Sequence, residues 1–359
     1  MPTIHDVARR ADVSTATVSR VVSNRGHVAP ATRARVLQAV KDLSYVPNAM
    51  ARGLKTQRSR LVAVLVPEIV NSFYTTIFRG VEDVANANGL QVILGNTDED
   101  VAKEKAYVDL FVANHVDGVI VAPAGRSARQ LKSLLTTGVP TVLIDRTVEG
   151  FPADIVRGDS LDGAAVLTAH LIELGHRRIA LVNGALETSV ARDREAGFRR
   201  ALHDAGMEVD ERLVSSGTWF IDDAERRVER LLGDASCSAI VAANNFMAIG
   251  ALRALRSSGR RVPQDVALAC FDDVEVAAEI DPFLTVMAQP AYTMGTLAMQ
   301  LLLERIGGAY HGPTREIVLT PRLLVRRSSG AELHAARPDG IEAASEKHAL
   351  SPSETMFAR

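Results

Sequence analysis

The sequence predicts an α/β protein: a three-helix helix-turn-helix head with a short hinge helix, then a two-lobed body built on two doubly wound parallel sheets. Three observations carry this. Apolar residues recur at helical spacing through the head. Beyond Arg60, short apolar runs alternate with helical patterns, first in one series and then in a second. The charge is also split: residues 1–60 hold eleven Lys/Arg against three acids, a net of +8, and the whole chain is −2, which leaves −10 on the remainder. A basic head on an acidic body is the electrostatic footprint of nucleic-acid binding by one segment.

In the head, Ile4, Val7 and Ala8 fall at i, i+3, i+4, one face of a helix. Ala11-Asp12-Val13 breaks the pattern, and Ser14 stands where an N-cap belongs. The next helix carries Val18, Val21 and Val22 inward and leaves Thr15, Ala16, Thr17, Ser19 and Arg20 outward. Helix pairs with short turns also occur in all-α proteins, and it is the charge split that favours DNA. The second helix of a helix-turn-helix enters the major groove, where hydroxyls reach phosphates or base edges and Arg makes a two-bond contact to guanine. After the loop Arg25-Gly26-His27, a third helix runs from Pro30 to about Leu43, with Pro at a favoured first position and Val36, Leu37, Val40 and Leu43 closing a mini-core. Ala29 leaves that helix without a side-chain cap. Pro47 stops it, and Asn48 caps a segment from Ala49 to Lys55, two turns at most and marginal in water. Gly53 weakens that segment by roughly 1 kcal/mol relative to Ala.

In the body, buried strands are expected at Leu61–Val66, Gln91–Leu94, Gly118–Ala122 and Pro140–Ile144, with helices at Phe73–Asn88, Lys103–Asn114 and Ala128–Thr136. The second series places strands at Arg178–Val182, Val214–Ser216, Ala239–Ala242, Val266–Phe271 and Thr285–Met287. Its helices are Ser160–Glu173, Arg192–Ala205, Asp222–Leu232 and Phe246–Ser257. Residues 331–359 are polar and read as a mobile tail without zipper heptads.

Composition excludes several classes. No run of eighteen apolar residues is present, so no membrane span is expected, and no secretory signal opens the chain. Cys237 and Cys270 form no C-x-x-C pair and read as small buried hydrophobes in a reducing compartment. Neither a metal nor a cofactor is expected. The rival class, an enzyme on a doubly wound scaffold, lacks its signals: no G-x-G-x-x-G after a strand, no phosphate-loop G-x-x-x-x-G-K and no G-x-S-x-G elbow. His170 and His176 are not at ligand spacing, and the adjacent acids Asp272-Asp273 point opposite ways on an extended chain. No catalytic residue is assigned.

The run VARRADVSTATVSRVVSN, followed by TRARVLQAV and YVPNAMARGLK, resembles the head of the LacI-type (lactose/purine repressor) family of bacterial transcription regulators, and the resemblance continues to about residue 327. It implies a periplasmic-binding-protein-like body whose chain crosses between lobes near Ser160, Gln289-Pro290 and Pro321. The expected domains are then 1–46 (head), 47–59 (hinge and linker), 60–160 with 290–321 (N-terminal lobe), 161–289 with 322–330 (C-terminal lobe) and 331–359 (tail). It further implies a hinge helix that orders on operator DNA, with Leu54 as a minor-groove wedge; a packed linker leucine is the competing reading. The candidate DNA contacts are Thr3, Ser14, Thr15, Ala16, Thr17, Ser19, Arg20, Asn24, His27, Leu54 and Lys55, with a solvated loop as the rival role for His27.

For the effector, hydroxyl-binding groups stand at strand ends: Asn71 to Tyr74, Asp98, Asp145-Arg146, Arg194, Trp219, Asn244, Asp272-Asp273 and Gln289. The resemblance selects Phe73, Tyr74, Asp145, Arg194, Trp219, Asn244 and Asp272 as effector contacts, and Gln289 at a crossover joins them. Rival roles are caps for Asp145 and Asp272, a structural ion pair for Arg194 and core for Phe73. Relatives usually read Asn-Asp where this chain has Asn244-Asn245, which puts a cap or supporting contact in doubt. The expected function is a cytoplasmic, nucleoid-associated bacterial repressor. It would bind a near-palindromic operator as a homodimer and be switched by a small molecule, with a monosaccharide expected, held in a cleft between the lobes. The alternative is a sugar- or nucleoside-binding protein, or an enzyme, with an incidental basic head.

Overall fold

The computed structural model describes residues 2–24, 26–45, 59–234 and 236–332. The expected hinge helix, with Leu54 and Lys55, and nearly all of the expected tail lie outside these residues. Three helices form the head: α1 (Ile4–Ala11), α2 (Thr15–Val22) and α3 (Pro30–Asp42). Thr3 caps α1 in a reciprocal box: its hydroxyl accepts from Asp6 N–H, and Asp6 Oδ2 accepts from Thr3 N–H at 2.9 Å. Asp12 ends α1 in the left-handed region at φ 54°. Ser14 caps α2, its Oγ accepting from Thr17 N–H at 3.2 Å, and α3 begins at Ala29 without a side-chain cap. Val7, Ala8, Ala11, Val18, Val21, Val36 and Ala39 pack together as the head's core. Leu37, expected in that core, is 50% exposed. The inward stripe of α3 runs through Val36, Ala39, Val40 and Leu43, and Leu37 lies on the next face round the helix.

The body contains two six-stranded sheets. In chain order the first series is β1 (Leu61–Val66), α4 (Ser72–Ala87), β2 (Gln91–Asn96), α5 (Val101–Ala113), β3 (Gly118–Val121), α6 (Lys132–Thr137), β4 (Thr141–Ile144) and β5 (Asp154–Gly158). Then follow α7 (Ser160–Glu173), β6 (Ile179–Asn183), α8 (Ser189–Asp204), β7 (Val214–Ser216), α9 (Ile221–Asp234), β8 (Ala239–Ala242), α10 (Asn245–Ser257), β9 (Ala267–Phe271), α11 (Glu275–Ile280) and β10 (Thr285–Ala288). The chain closes with α12 (Ala291–Gly307), β11 (Glu316–Leu319) and β12 (Arg322–Leu324).

The first sheet has the order β2-β1-β3-β4-β5-β11 and the second β7-β6-β8-β9-β10-β12. Their strand orders correspond position by position, and each reverses direction of winding at its second strand, the switch point where open α/β sheets place ligands. The first sheet is parallel throughout. The second departs from the expectation at one edge: β12 pairs antiparallel with β10, Leu324 opposite Val286. The chain reaches β12 two residues after β11, with no crossover helix to bring it round to a parallel start.

Alternation along β1 sends Val62, Val64 and Val66 to one face, against α4 and α12. Ala63 and Leu65 go to the other, with Val108 and Phe111 of α5. On the second sheet, Ile179 and Leu181 of β6 meet Ala164, Leu167 and Leu171 of α7 and Phe198 and Leu202 of α8.

The chain divides into two compact units, one of Met1–Ser160, Ala185–Asp193 and Gln289–Pro321, the other of Leu161–Gly184, Arg194–Ala288 and the chain from Arg322. Segment 185–193 and Gln289, expected in the second lobe, thus go with the first unit. Ser189 Oγ accepts from Thr147 N–H at 2.9 Å, and the Gln289 side chain lies so close on Gly158 that an added Cβ would stand 1.9 Å from its Oε1.

Candidate functional site

The head presents the outward face of α2. Ala16 and Arg20 are exposed, while Thr15, Thr17 and Ser19 are half-buried beside them. Among the expected DNA contacts, several hydroxyls also have structural work. Thr3 and Ser14 are caps, and the Ser14 and Thr17 hydroxyls lie 3.0 Å apart. Asn24, left-handed at φ 52°, accepts from Arg33 Nη1 at 2.8 Å. His27 is exposed in the loop before α3.

In the first unit, β4 ends and the backbone turns at Asp145 in the left-handed region, φ 64°, a conformation that Asp tolerates better than most residues. Asp145 N–H donates to Val156 O at 2.9 Å. Its carboxylate, 4% exposed, accepts from Tyr74 Oη at 2.9 Å. Tyr74 comes from α4, which Asn71 starts by accepting from Phe73 N–H at 3.1 Å. Burial first, and then the carboxylates nearby, hold the Tyr74 phenol well above its ordinary pKa, so it remains a donor. Phe73 stands edge-on to Tyr74 and belongs to the apolar core, the rival role for that residue. Arg146 is buried and donates through both terminal nitrogens to Glu99, each at 2.7 Å, and to Pro123 O at 3.2 Å. Burial alone would lower its pKa; the Glu99 carboxylate outweighs that and raises it. Asp98 is exposed and pairs with Lys103.

The second unit repeats the device at the corresponding strand. β9 ends and Asp272 turns at φ 60°, its N–H donating to Met287 O at 3.1 Å. The Arg194 guanidinium, from α8, is buried. It donates to Ala243 O at 2.5 Å, stands 3.9 Å from the Asp272 carboxylate and lies 4.1 Å over the Phe271 ring. Its Nε makes no hydrogen bond among the described residues. Asn244 caps α10, accepting from Met247 N–H at 2.8 Å, so the cap put in doubt by Asn244-Asn245 is present. Asn245 donates its amide to Asp273 O at 3.2 Å, a bond no carboxylate would make. Asp273 is held by both terminal nitrogens of Arg326.

Trp219 is buried with its ring flat on Gly184, where an added Cβ would stand 2.2 Å from Cε2. Gly184→Ala must therefore displace the indole, at about 1–3 kcal/mol for overpacking. Trp219 is the only tryptophan in the sequence. The expected result is a red-shifted emission maximum with a lower unfolding midpoint; an unshifted maximum would mean the ring accommodates the methyl in place.

Two acids at the first site were not anticipated. Glu99 follows Asp98, and both are left-handed, at φ 59° and 52°. Glu104 is buried on α5 and accepts from Ala124 N–H at 2.6 Å. Burial pushes its carboxyl up to about 7, against the pull of that N–H and of Arg146. Its signal was in the sequence: Glu104, Val108 and Phe111 share the buried stripe of α5, so an acid occupies an apolar-face position. Both cysteines are buried, and burial raises the Cys270 thiol far from reactivity.

A basic three-helix head followed by two doubly wound units, each with polar groups at its strand C-terminal ends, defines a DNA-binding regulator on a periplasmic-binding-protein-like body. The bacterial regulatory proteins of the lacI family match residues 3–48, and the periplasmic binding protein-like domain matches residues 168–329. The HTH-type transcriptional regulator CelR of Thermobifida fusca is 39% identical over 336 residues, covering 91% of this chain and 98% of that one. The HTH-type transcriptional repressor PurR of Aliivibrio salmonicida is 34% identical over 330 residues, covering 91% and 99%. Among solved structures, the lac repressor dimer bound to operator and the anti-inducer ONPF matches with a TM-score of 0.77 at 28% identity, over 91% of this chain and 99% of that one. The CelR–cellobiose complex matches at 0.68 and 36%, over 91% and 100%. This chain belongs to the lacI family of bacterial regulatory proteins. It is a transcriptional regulator, and its relatives are DNA-binding regulators rather than enzymes. Among the described residues no helix is long and apolar enough to cross a membrane.

Proposed function

We propose that this protein is a repressor that binds a near-palindromic operator as a homodimer and changes its operator affinity when a small carbohydrate binds the strand-end groups of the body. The observation that carries the carbohydrate is the paired arrangement of polar groups: Asp145 with Tyr74 in one unit, Arg194 with Asp272 in the other. Carboxylate, phenol and guanidinium accept from and donate to vicinal hydroxyls, and such a site rejects analogues that leave those groups unpaired. Trp219, Asn244 and Gln289 complete the proposed contacts, with Phe73 acting through Tyr74. The names of two related structures agree in kind: CelR was solved with cellobiose, and a LacI family regulator from Enterococcus faecium, 30% identical with a TM-score of 0.66 over 75% of this chain and 98% of that one, was solved with ribose.

On the DNA side, Ala16 and Arg20 of α2 face the major groove with Thr15, Thr17 and Ser19, flanked by Thr3, Ser14, Asn24 and His27. Leu54 as a minor-groove wedge and Lys55 as a DNA contact rest on the family resemblance of the sequence. The protein acts in the cytoplasm. The test is thermal unfolding against neutral sugars, sugar acids, nucleosides and purines, followed by operator titration with any stabilising compound. A ligand at about a hundred times its dissociation constant stabilises by roughly 2.7 kcal/mol. A selective shift by one sugar that also changes operator affinity is expected; a shift by nucleosides or purines alone would replace the carbohydrate reading.

A further inference from the structure

We propose that Glu104 is a positioning residue for the effector site of the first unit: its carboxylate holds the loop after β3 in place through the Ala124 N–H, and taking up a proton loosens that loop and weakens ligand binding. The inference rests on the reading of the body's strand ends as the effector site.

The loop runs over residues 122–126. It leaves β3 at the C-terminal end, beside β1, where the winding of the first sheet reverses and a doubly wound sheet places its ligand. Ala122 N–H donates to Leu65 O of β1 at 2.9 Å. Pro123 O accepts from Arg146 Nη1 at 3.2 Å. Ala124 N–H donates to Glu104 Oε2 at 2.6 Å. Gly125 lies so close on Val101 of α5 that an added Cβ would stand 2.9 Å from its Cγ1. Of these contacts, the one to Glu104 changes strength with a proton. To a carboxylate it is a charge-assisted hydrogen bond, roughly twice as strong as one between neutral groups.

Glu104 is 1% exposed and shares the apolar stripe of α5 with Val108 and Phe111. Arg146, beyond β4, favours its carboxylate, and Glu99, before α5, opposes it. Arg146 turns both terminal nitrogens to Glu99, and Asp145 beside it accepts from Tyr74. Arg126 and Arg129, on the segment after β3, are exposed, and Arg126 pairs with Glu149. On α5 itself, Lys103 pairs with Asp98, and Tyr107 lies against Phe111. Burial outweighs the Ala124 N–H and Arg146 and sets the carboxyl at about 7, so its charge changes in neutral solution.

The test compares the wild type with Glu104→Gln. Without ligand, the Glu104 carboxyl is followed by 13C NMR and the Ala124 amide by 15N NMR, from about pH 5 to about pH 9. Glu104→Gln and Ala124→Ser assign the two signals. The amide is expected to titrate together with the carboxyl in the wild type and to stay flat in Glu104→Gln. With ligand, D-ribose, D-glucose and cellobiose are the probes, by calorimetry at pH 6 and pH 8. Whichever probe the wild type binds is expected to bind more tightly at pH 8, by up to about tenfold. A carboxyl that titrates at about 7 is roughly one-tenth ionised at the lower pH and nine-tenths at the higher, and affinity scales with the competent fraction. Glu104→Gln is expected to lose that difference; a merely structural role predicts a shifted melting temperature with the pH difference intact. An amide that does not follow the carboxyl, a wild-type affinity equal at the two pH values, or a difference that survives in Glu104→Gln overturns the proposal. If the wild type binds none of the probes, the carbohydrate reading is what fails, and the ligand-free titrations still decide whether Glu104 holds the loop. Should Glu104→Gln not fold, Glu104→Met carries the same measurements.

Discussion

Asp154→Ala is expected to lower the unfolding free energy by about 3–5 kcal/mol, the cost of breaking a buried ion pair from one side. Asp154 opens β5 with its side chain wholly buried. It accepts from Arg305 Nε at 2.9 Å and Nη2 at 2.7 Å, and from Arg315 N–H at 2.8 Å and Nη2 at 2.9 Å. Both guanidinium groups also stack on Tyr310, at 4.5 and 3.9 Å from the ring centre, so they cannot simply swing into water. In a chain of this size such a loss lowers the melting temperature by on the order of 10 °C. Burial alone would raise the Asp154 pKa; the two arginines and the Arg315 N–H outweigh it and hold the carboxyl down to about 2. Since this lies below the unfolded value of 3.8, the contribution is present above about pH 4 and is lost as the pH falls through the folded value, at about 2 kcal/mol in all. Denaturant unfolding at pH 7 and pH 3 checks both statements. A pH-independent deficit in the variant would show that the carboxylate's charge is not what stabilises β5.

Arg194→Met is expected to abolish the carbohydrate-induced rise in melting temperature while leaving operator binding by the head measurable. Methionine fills much of the arginine's stem volume, so the change chiefly removes a cation 3.9 Å from Asp272, a hydrogen bond to Ala243 O and the stacking on Phe271. A charge-assisted hydrogen bond is worth about 1.5–3 kcal/mol, and a ligand that needs the guanidinium loses a further share, so binding should fall by roughly a hundredfold or more. Melting curves with and without the stabilising sugar, beside operator titrations, read the two effects separately. A variant that melts lower yet keeps the full ligand shift would make Arg194 purely an ion-pair partner of Asp272, the rival role its sequence position allowed.

The parts legible in the sequence are those in which a short stretch decides its own state. The 3.6-residue stripe of α1, the cap at Ser14 and the apolar run of β1 all rest on local propensity and backbone sterics. Elements whose pattern makes sense only beside distant partners, such as β5 and α12, were not found. β5 opens on Asp154 and carries Arg157, polar groups that are acceptable only because Arg305, Arg315 and Glu316 meet them from distant parts of the chain. α12 lies against α4 as well as the sheet, its Gly295 admitting Ile77 O where a Cβ would stand 2.1 Å away. Such contacts depend on residues a hundred or more positions apart, which no periodicity encodes.

The same division holds for function. By itself the sequence determined the basic head, the alternation of β and α in the body and the polar residues at strand ends, since charge and period are properties of the chain alone. Only the tertiary structure decided which of those residues meet. It brought Tyr74 to the Asp145 carboxylate, turned both terminal nitrogens of Arg146 to Glu99, and laid Trp219 on Gly184. A side chain's partner is fixed by the directions from which separate strands and helices approach it, and those directions exist only once the sheets are assembled.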